Sequence, residues 1–299
     1  MNESLEKMTS INEDHKELEK MTKTNRRGRV ACIALLGGMA ATMMTAPAVA
    51  GDIFERDRGE SMKDAPMDTG RKLELSANVG LTSDYVFRGA SQSAEHPAIQ
   101  GGMDATYGIL YAGFWGSSID FGAVGTKDVA DLELDLYAGI TPKLGPVDLD
   151  LGVIGYLYPG ASDQGAELDF IELKAGATTS PVNGLTLGGT VFYSPEYTGE
   201  LGETWTLEGS VEVALPKIGG RITPTFSALV GTVLGEDNSG ILAGQDEYVY
   251  WNAGMAFGFA DKFSLDLRYW DTDVGDKAGC KGATFQCDSR FVVGLSASF

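Results

Sequence analysis

The chain has 299 residues, enough for one large domain or two modest ones. Its 42 Asp and Glu against 23 Lys and Arg give a formal charge of −19. That balance excludes a nucleic-acid partner, whose phosphates need cationic side chains. The first element is a leader: residues 24–50 read TNRRGRVACIALLGGMAATMMTAPAVA. Three arginines, a short apolar run and a small-residue Ala48-Val49-Ala50 end make a secretory signal peptide over 1–50, too short and too rich in Gly and Thr for a membrane span. The acidic residues 1–20 are unlike a normal leader start, and one reading begins translation at Met21.

Residues 51–72 are charged and aperiodic, the pattern of a disordered linker. From Leu73 to Phe299 apolar residues fall at alternate positions, the period of a strand with two unlike faces. LELSANVGL sets Leu73, Leu75, Ala77, Val79 and Leu81 on one side, and DLELDLYAGI sets Leu132, Leu134, Leu136, Ala138 and Ile140 against Glu133 and Asp135. The last residues, DSRFVVGLSASF, keep Phe291, Val293, Leu295, Ala297 and Phe299 on a single face. The alternation predicts about twelve strands: 73–88, 98–107, 110–121, 131–141, 146–158, 167–178, 185–195, 204–215, 221–233, 247–259, 263–273 and 288–299.

The connections alternate too. Short turns such as those at Gly108, TPKLGP, LPKIGG and FADKF take turns with longer polar loops such as RGASQSAEHP, GEDNSGILAGQ and DVGDKAGCKGATFQCD. An even number of strands near ten residues long, with short turns at one end and long loops at the other, predicts an all-β, transmembrane, antiparallel up-and-down barrel of the outer-membrane kind. The competing expectation is a secreted soluble β-sandwich or barrel, whose apolar face would be an inner core. In the membrane reading, aromatic girdles are expected from Tyr107, Tyr111, Phe257, Phe259, Phe263 and Phe299 at the periplasmic rim. Tyr85, Phe87, Phe121, Trp205, Tyr269 and Phe291 are expected at the outer one. Because every backbone group in lipid needs a partner, the last strand must close on the first.

Three stretches are more specific than periodicity: SDYVFRGASQSAEHPAIQGG (83–102), YAGFWGSSIDFG (111–122) and DLELDLYAGITPKLGPVDLDLGVIGYLYPG (131–160). In them the chain resembles the TorF-like family of proteobacterial porins, a resemblance that extends over 73–299. It implies an outer-membrane barrel and names no solute. Phe299 also resembles the terminal aromatic residue that the barrel-assembly machinery reads.

If the apolar faces meet lipid, the opposite faces line the interior. Ten acids (Glu74, Asp104, Glu133, Asp135, Asp148, Asp150, Glu172, Glu208, Glu212 and Asp266) then share it with four bases, Arg88, Lys174, Arg268 and Arg290. Carboxylate-lined walls favour cations. The expectation is a passage for small hydrophilic solutes or ions, cation-preferring, with no cofactor and an open question of oligomeric state. The alternative pairs those acids with the four bases in a plugged, non-conducting barrel that displays its loops as a receptor or adhesin.

An enzymatic reading has little to stand on. His96, the one histidine after the leader, sits beside Ser91 and Ser93 in what reads as a flexible loop, where a nucleophile–base pair is hard to hold. Asp271, Asp273 and Asp276, or Glu236 and Asp237, could offer oxygens to calcium but lack a calcium-loop spacing, so no metal is expected. Cys280 and Cys287, seven apart in an exported chain, predict one disulfide that clips the last long loop.

Overall fold

The long strands begin where the alternation begins. The computed structural model describes residues 72–124, 127–162, 167–237, 239–274, 280 and 285–299. The leader, almost all of the 51–72 linker and the candidate calcium ligand Asp276 lie outside the described residues. Twelve long strands follow in order: β1 (Leu73–Thr82), β2 (Ala98–Tyr107), β3 (Leu110–Ser118), β4 (Leu132–Ile140), β5 (Val147–Leu157), β6 (Phe170–Val182), β7 (Leu185–Ser194), β8 (Thr204–Ala214), β9 (Ile222–Gly235), β10 (Glu247–Phe259), β11 (Phe263–Thr272) and β12 (Arg290–Ser298). Each pairs antiparallel with its neighbours in sequence, and β1 pairs with β12 through Asn78–Ser298 to Thr82–Gly294. Ala77 and Phe299 exchange two further backbone hydrogen bonds, at 2.9 and 3.1 Å. The sheet is a closed barrel with no helix among the described residues.

The short turns are tight because the backbone at their corners takes left-handed torsions. Gly108 (φ 66°) turns β2 into β3, and Ala260 and Asp261 (φ 52° and 59°) turn β10 into β11. In β6 the strand runs past its predicted end to Val182, with a register shift between Thr179 and Val182 that accommodates Pro181.

The two faces of the wall differ as the alternation predicts. Leu75, Ile99, Leu136, Leu173, Val230 and Leu295 point outward and are each 46–66% exposed. They belong to an apolar belt that runs round the barrel, far larger than the patches a soluble monomer shows. Exposed Tyr107, Phe263 and Phe299 mark one rim, where Phe259 and Phe263 stack at 5.6 Å. At the other rim Trp205 packs on Tyr193 (4.6 Å) and Phe291 on Tyr269 (5.1 Å).

Four girdle assignments are corrected. Tyr85, Phe87 and Phe121 are buried inside the barrel, and Tyr111 turns inward to donate to Asp150 at 2.7 Å. The reason for the first two is that β1 ends at Thr82, six residues short of the predicted Arg88. Beyond Thr82 the chain turns into the lumen. Inside a filled barrel an aromatic ring is as well placed as in lipid, so alternation alone cannot separate the two.

Candidate functional site

The segment between β1 and β2 builds the centre of the interior. Asp84 through Ser93 are all buried. Val86–Phe87 and Ala90–Ser91 pair as a miniature hairpin whose turn is Arg88-Gly89, both left-handed (φ 44° and 84°). Gly89 is required there: a Cβ would strike the Thr272 side chain and crowd Tyr250.

The hairpin crosses the lumen. In the ring of strands β6 and β7 lie halfway round from β1, yet Arg88 reaches both. Its guanidinium donates to Glu172 of β6 through two parallel bonds of 2.8 and 2.9 Å, and lies 5.1 Å from the Phe192 ring of β7. Tyr156 of β5 donates to the same carboxylate at 3.0 Å, and the Tyr197 hydroxyl stands 3.4 Å from Arg88. Burial pushes that hydroxyl up to about 12. Arg88 and Glu172 are among the largest fully buried side chains of the molecule.

The base of the hairpin is tied locally. Ser91 Oγ donates to Asp84 Oδ1 at 2.7 Å, and Ser93 Oγ lies 3.0 Å from that oxygen and 2.6 Å from the His96 carbonyl. Arg290 of β12 donates to the other Asp84 oxygen at 2.9 Å. The described end of the long loop between β11 and β12 contacts it: Ser91 donates its amide to the Gln286 carbonyl (2.8 Å), and Phe285 packs edge-on against Phe121 (4.8 Å). Cys280 and Cys287 in that loop are disulfide-bonded, with Cα atoms 4.8 Å apart.

These contacts also bear on the enzymatic reading. From Asp84 to Ser93 the expected flexible loop is a built, buried element, so that view is corrected for those residues. His96 itself is exposed, its imidazole faces Asp120 at 3.7 Å, and the hydroxyls of Ser91 and Ser93 are engaged with Asp84 and the backbone. No nucleophile–base contact joins these residues.

The fourteen residues named from the sequence fall into three groups. Arg88, Glu172, Glu133 and Asp135 belong to the packed half at the long-loop end, with Arg88 on the hairpin rather than on a strand. Glu133 is fully buried, and its carboxyl group lies against that of Asp135. Arg290 joins Asp84, Asp288 and Glu95 at the hairpin's base. The rest face the half nearer the short turns. There Lys174 bonds Asp150 (2.5 Å), Arg268 bonds Asp266 (2.9 and 3.0 Å), Tyr137 donates to Asp104 (2.6 Å) and Tyr250 donates to Glu208 (2.5 Å). Asp148 pairs with exposed Lys143 at the rim. Inward-facing Glu74, Ser76, Asn78, Thr178 and Ser210 remain exposed, so this half is a water-accessible vestibule.

The interior is therefore asymmetric: a hydrated, acid-weighted chamber at the short-turn end and a packed plug at the long-loop end. Sequence reasoning carried a plugged lumen as the alternative but missed the hairpin that builds it. Its one signal was a polar Ser83-Asp84 pair before a short aromatic run, with Arg-Gly as a turn between Val86-Phe87 and Ala90-Ser91.

Residues 68–299 match the model of the family described as "Bacterial protein of unknown function (Gcw_chp)". The chain belongs to the Gcw_chp family. No curated protein matches the sequence. Among solved structures the Gcw_chp barrel is similar to NanC porin (10% identity, 76% of this chain and 99% of that one, TM-score 0.46) and to KdgM porin (7% identity, 75% and 99%, TM-score 0.46). It is also similar to LpxR from Salmonella typhimurium (12% identity, 75% and 99%, TM-score 0.42). These values describe a likeness of shape and carry nothing about what the Gcw_chp barrel does.

Proposed function

We propose that this Gcw_chp chain is an outer-membrane channel for the passive passage of small hydrophilic solutes or ions, with a preference for cations. Residues 1–50 would direct export, with 51–72 a linker, Phe299 the mark read during assembly and the TorF-like resemblance part of the same proposal. The supporting observation is the contrast between the two sides of the closed wall. Outside runs the apolar belt; inside, the vestibule carries Glu74, Asp104, Asp150, Glu212 and Asp266 against Lys174 and Arg268. Both of those cations are already paired, so the net field in the chamber is negative and attracts cations.

A second reading is a barrel that does not conduct and presents its loops to a partner. The hairpin across the lumen favours it. Planar-bilayer recording of refolded residues 51–299 in a salt gradient separates the two. A reversal potential of cation sign supports the channel; an anion sign refutes the charge argument; absence of any current favours the plugged barrel.

A further inference from the structure

We infer that the hairpin Val86–Ser91 is the gate of this channel, and that the Arg88–Glu172 pair is its latch. The inference rests on the channel reading above. Three observations carry it.

First, the hairpin is a unit with its own fold. Its two arms pair with each other and its base is tied within the segment by Ser91 and Ser93 to Asp84. Outward movement about Ser83–Asp84 leaves those bonds intact. Second, its polar attachment to the far wall is concentrated on one side chain: Arg88 makes the bidentate contact with Glu172 and a longer one with the Tyr197 hydroxyl at 3.4 Å, while Phe192 and Tyr250 supply packing. Arg88 holds a left-handed backbone torsion to make that contact, a conformation that a non-glycine residue keeps only when its surroundings impose it.

Third, the far wall is acidic where the hairpin rests. Glu172 on β6 and the fully buried Glu133 with Asp135 on β4 flank Tyr156 of β5, which is registered opposite Asp135 and Phe170. With the hairpin in place Arg88 is, among the described residues, the one cation bonded there, held to Glu172. With the hairpin withdrawn, three carboxylates on two nearby strands face the passage. Arg88 thus acts as a tethered cation that occupies a position a permeant cation would otherwise take. The described end of the loop between β11 and β12 contacts the hairpin through Gln286, and the disulfide holds that loop closed on itself.

The test compares single-channel records of refolded residues 51–299 with those of Glu172→Gln and of a variant in which Val86–Ser91 is replaced by two glycines. Folding of each is checked first by heat-modifiable mobility in gels. The expected wild-type record is brief openings from a long closed state. Glu172→Gln raises the open probability by about tenfold or more at unchanged unit conductance, because one of two states loses its charged contact. The hairpin replacement stays open with a larger unit conductance. Open probability in Glu172→Gln equal to wild type, or a hairpin replacement with wild-type conductance, overturns the gate. A folded hairpin replacement that passes no ions, or passes anions, refutes the channel reading instead, so the two failures are told apart.

Discussion

The membrane reading turns on which side of the wall the leucines face, and one residue measures it. Leu136 is the central residue of β4, points outward and is 49% exposed, between Phe114 on β3 and Gly155 on β5. In an aqueous barrel, replacing an exposed leucine with arginine changes stability by no more than about 0.5 kcal/mol. At the midplane of a bilayer the same change costs about 2–4 kcal/mol, since the guanidinium has no water and no partner. The smaller figure already shifts the folding equilibrium by about 30-fold. Ser76→Arg is the control: Ser76 is exposed on the inward face and registered opposite Asp104, so its arginine meets water and a carboxylate. Equilibrium unfolding of residues 51–299 by urea in phospholipid vesicles, followed by tryptophan fluorescence, gives both numbers. A loss below about 0.5 kcal/mol for Leu136→Arg, or an equal loss for Ser76→Arg, refutes the outward orientation.

Two further outcomes follow from the ends of the chain. Replacing Cys280 and Cys287 with serine opens a loop of seven-residue separation, worth about 2.5 kcal/mol by loop entropy, and the loss falls on the loop that contacts the hairpin. Limited proteolysis should cut the loop between β11 and β12 faster while the barrel stays folded; equal cutting rates count against that clip. Deleting Phe299 removes both backbone bonds to Ala77, and the yield of heat-modifiable folded barrel should drop while the unfolded chain is made in normal amount. An unchanged yield refutes a role for the terminal residue in closure.

The wall was legible because lipid and lumen impose opposite chemistries on adjacent residues, so β2 and β10 fall where alternation placed them, at 98–107 and 247–259. The plug was not. Alternation reports that two faces differ; it says nothing about whether the inner one meets water, a carboxylate or a hairpin. Tyr85 and Phe87 continue the parity of Leu81, so the pattern carried straight on through Ser83-Asp84 while the chain turned inward. Arg88 could be counted as a charge, but its partner Glu172 is 84 positions away and no local signal joins them. The interior acids raised the same difficulty: Glu74 and Glu133 share an inward position in sequence terms, yet one is exposed to the vestibule and the other is fully buried.

The β1–β12 seam has only five registered pairs plus the Ala77–Phe299 link, whereas β9 and β10 share thirteen. Read as a ribbon rolled into a tube, the molecule meets itself along its shortest overlap, and both margins of that overlap belong to the two ends of the barrel sequence. Phe299 is part of that fastening, through its two backbone bonds to Ala77. Each of the eleven joints between sequence neighbours has more registered pairs, so this seam is where the tube is most easily opened.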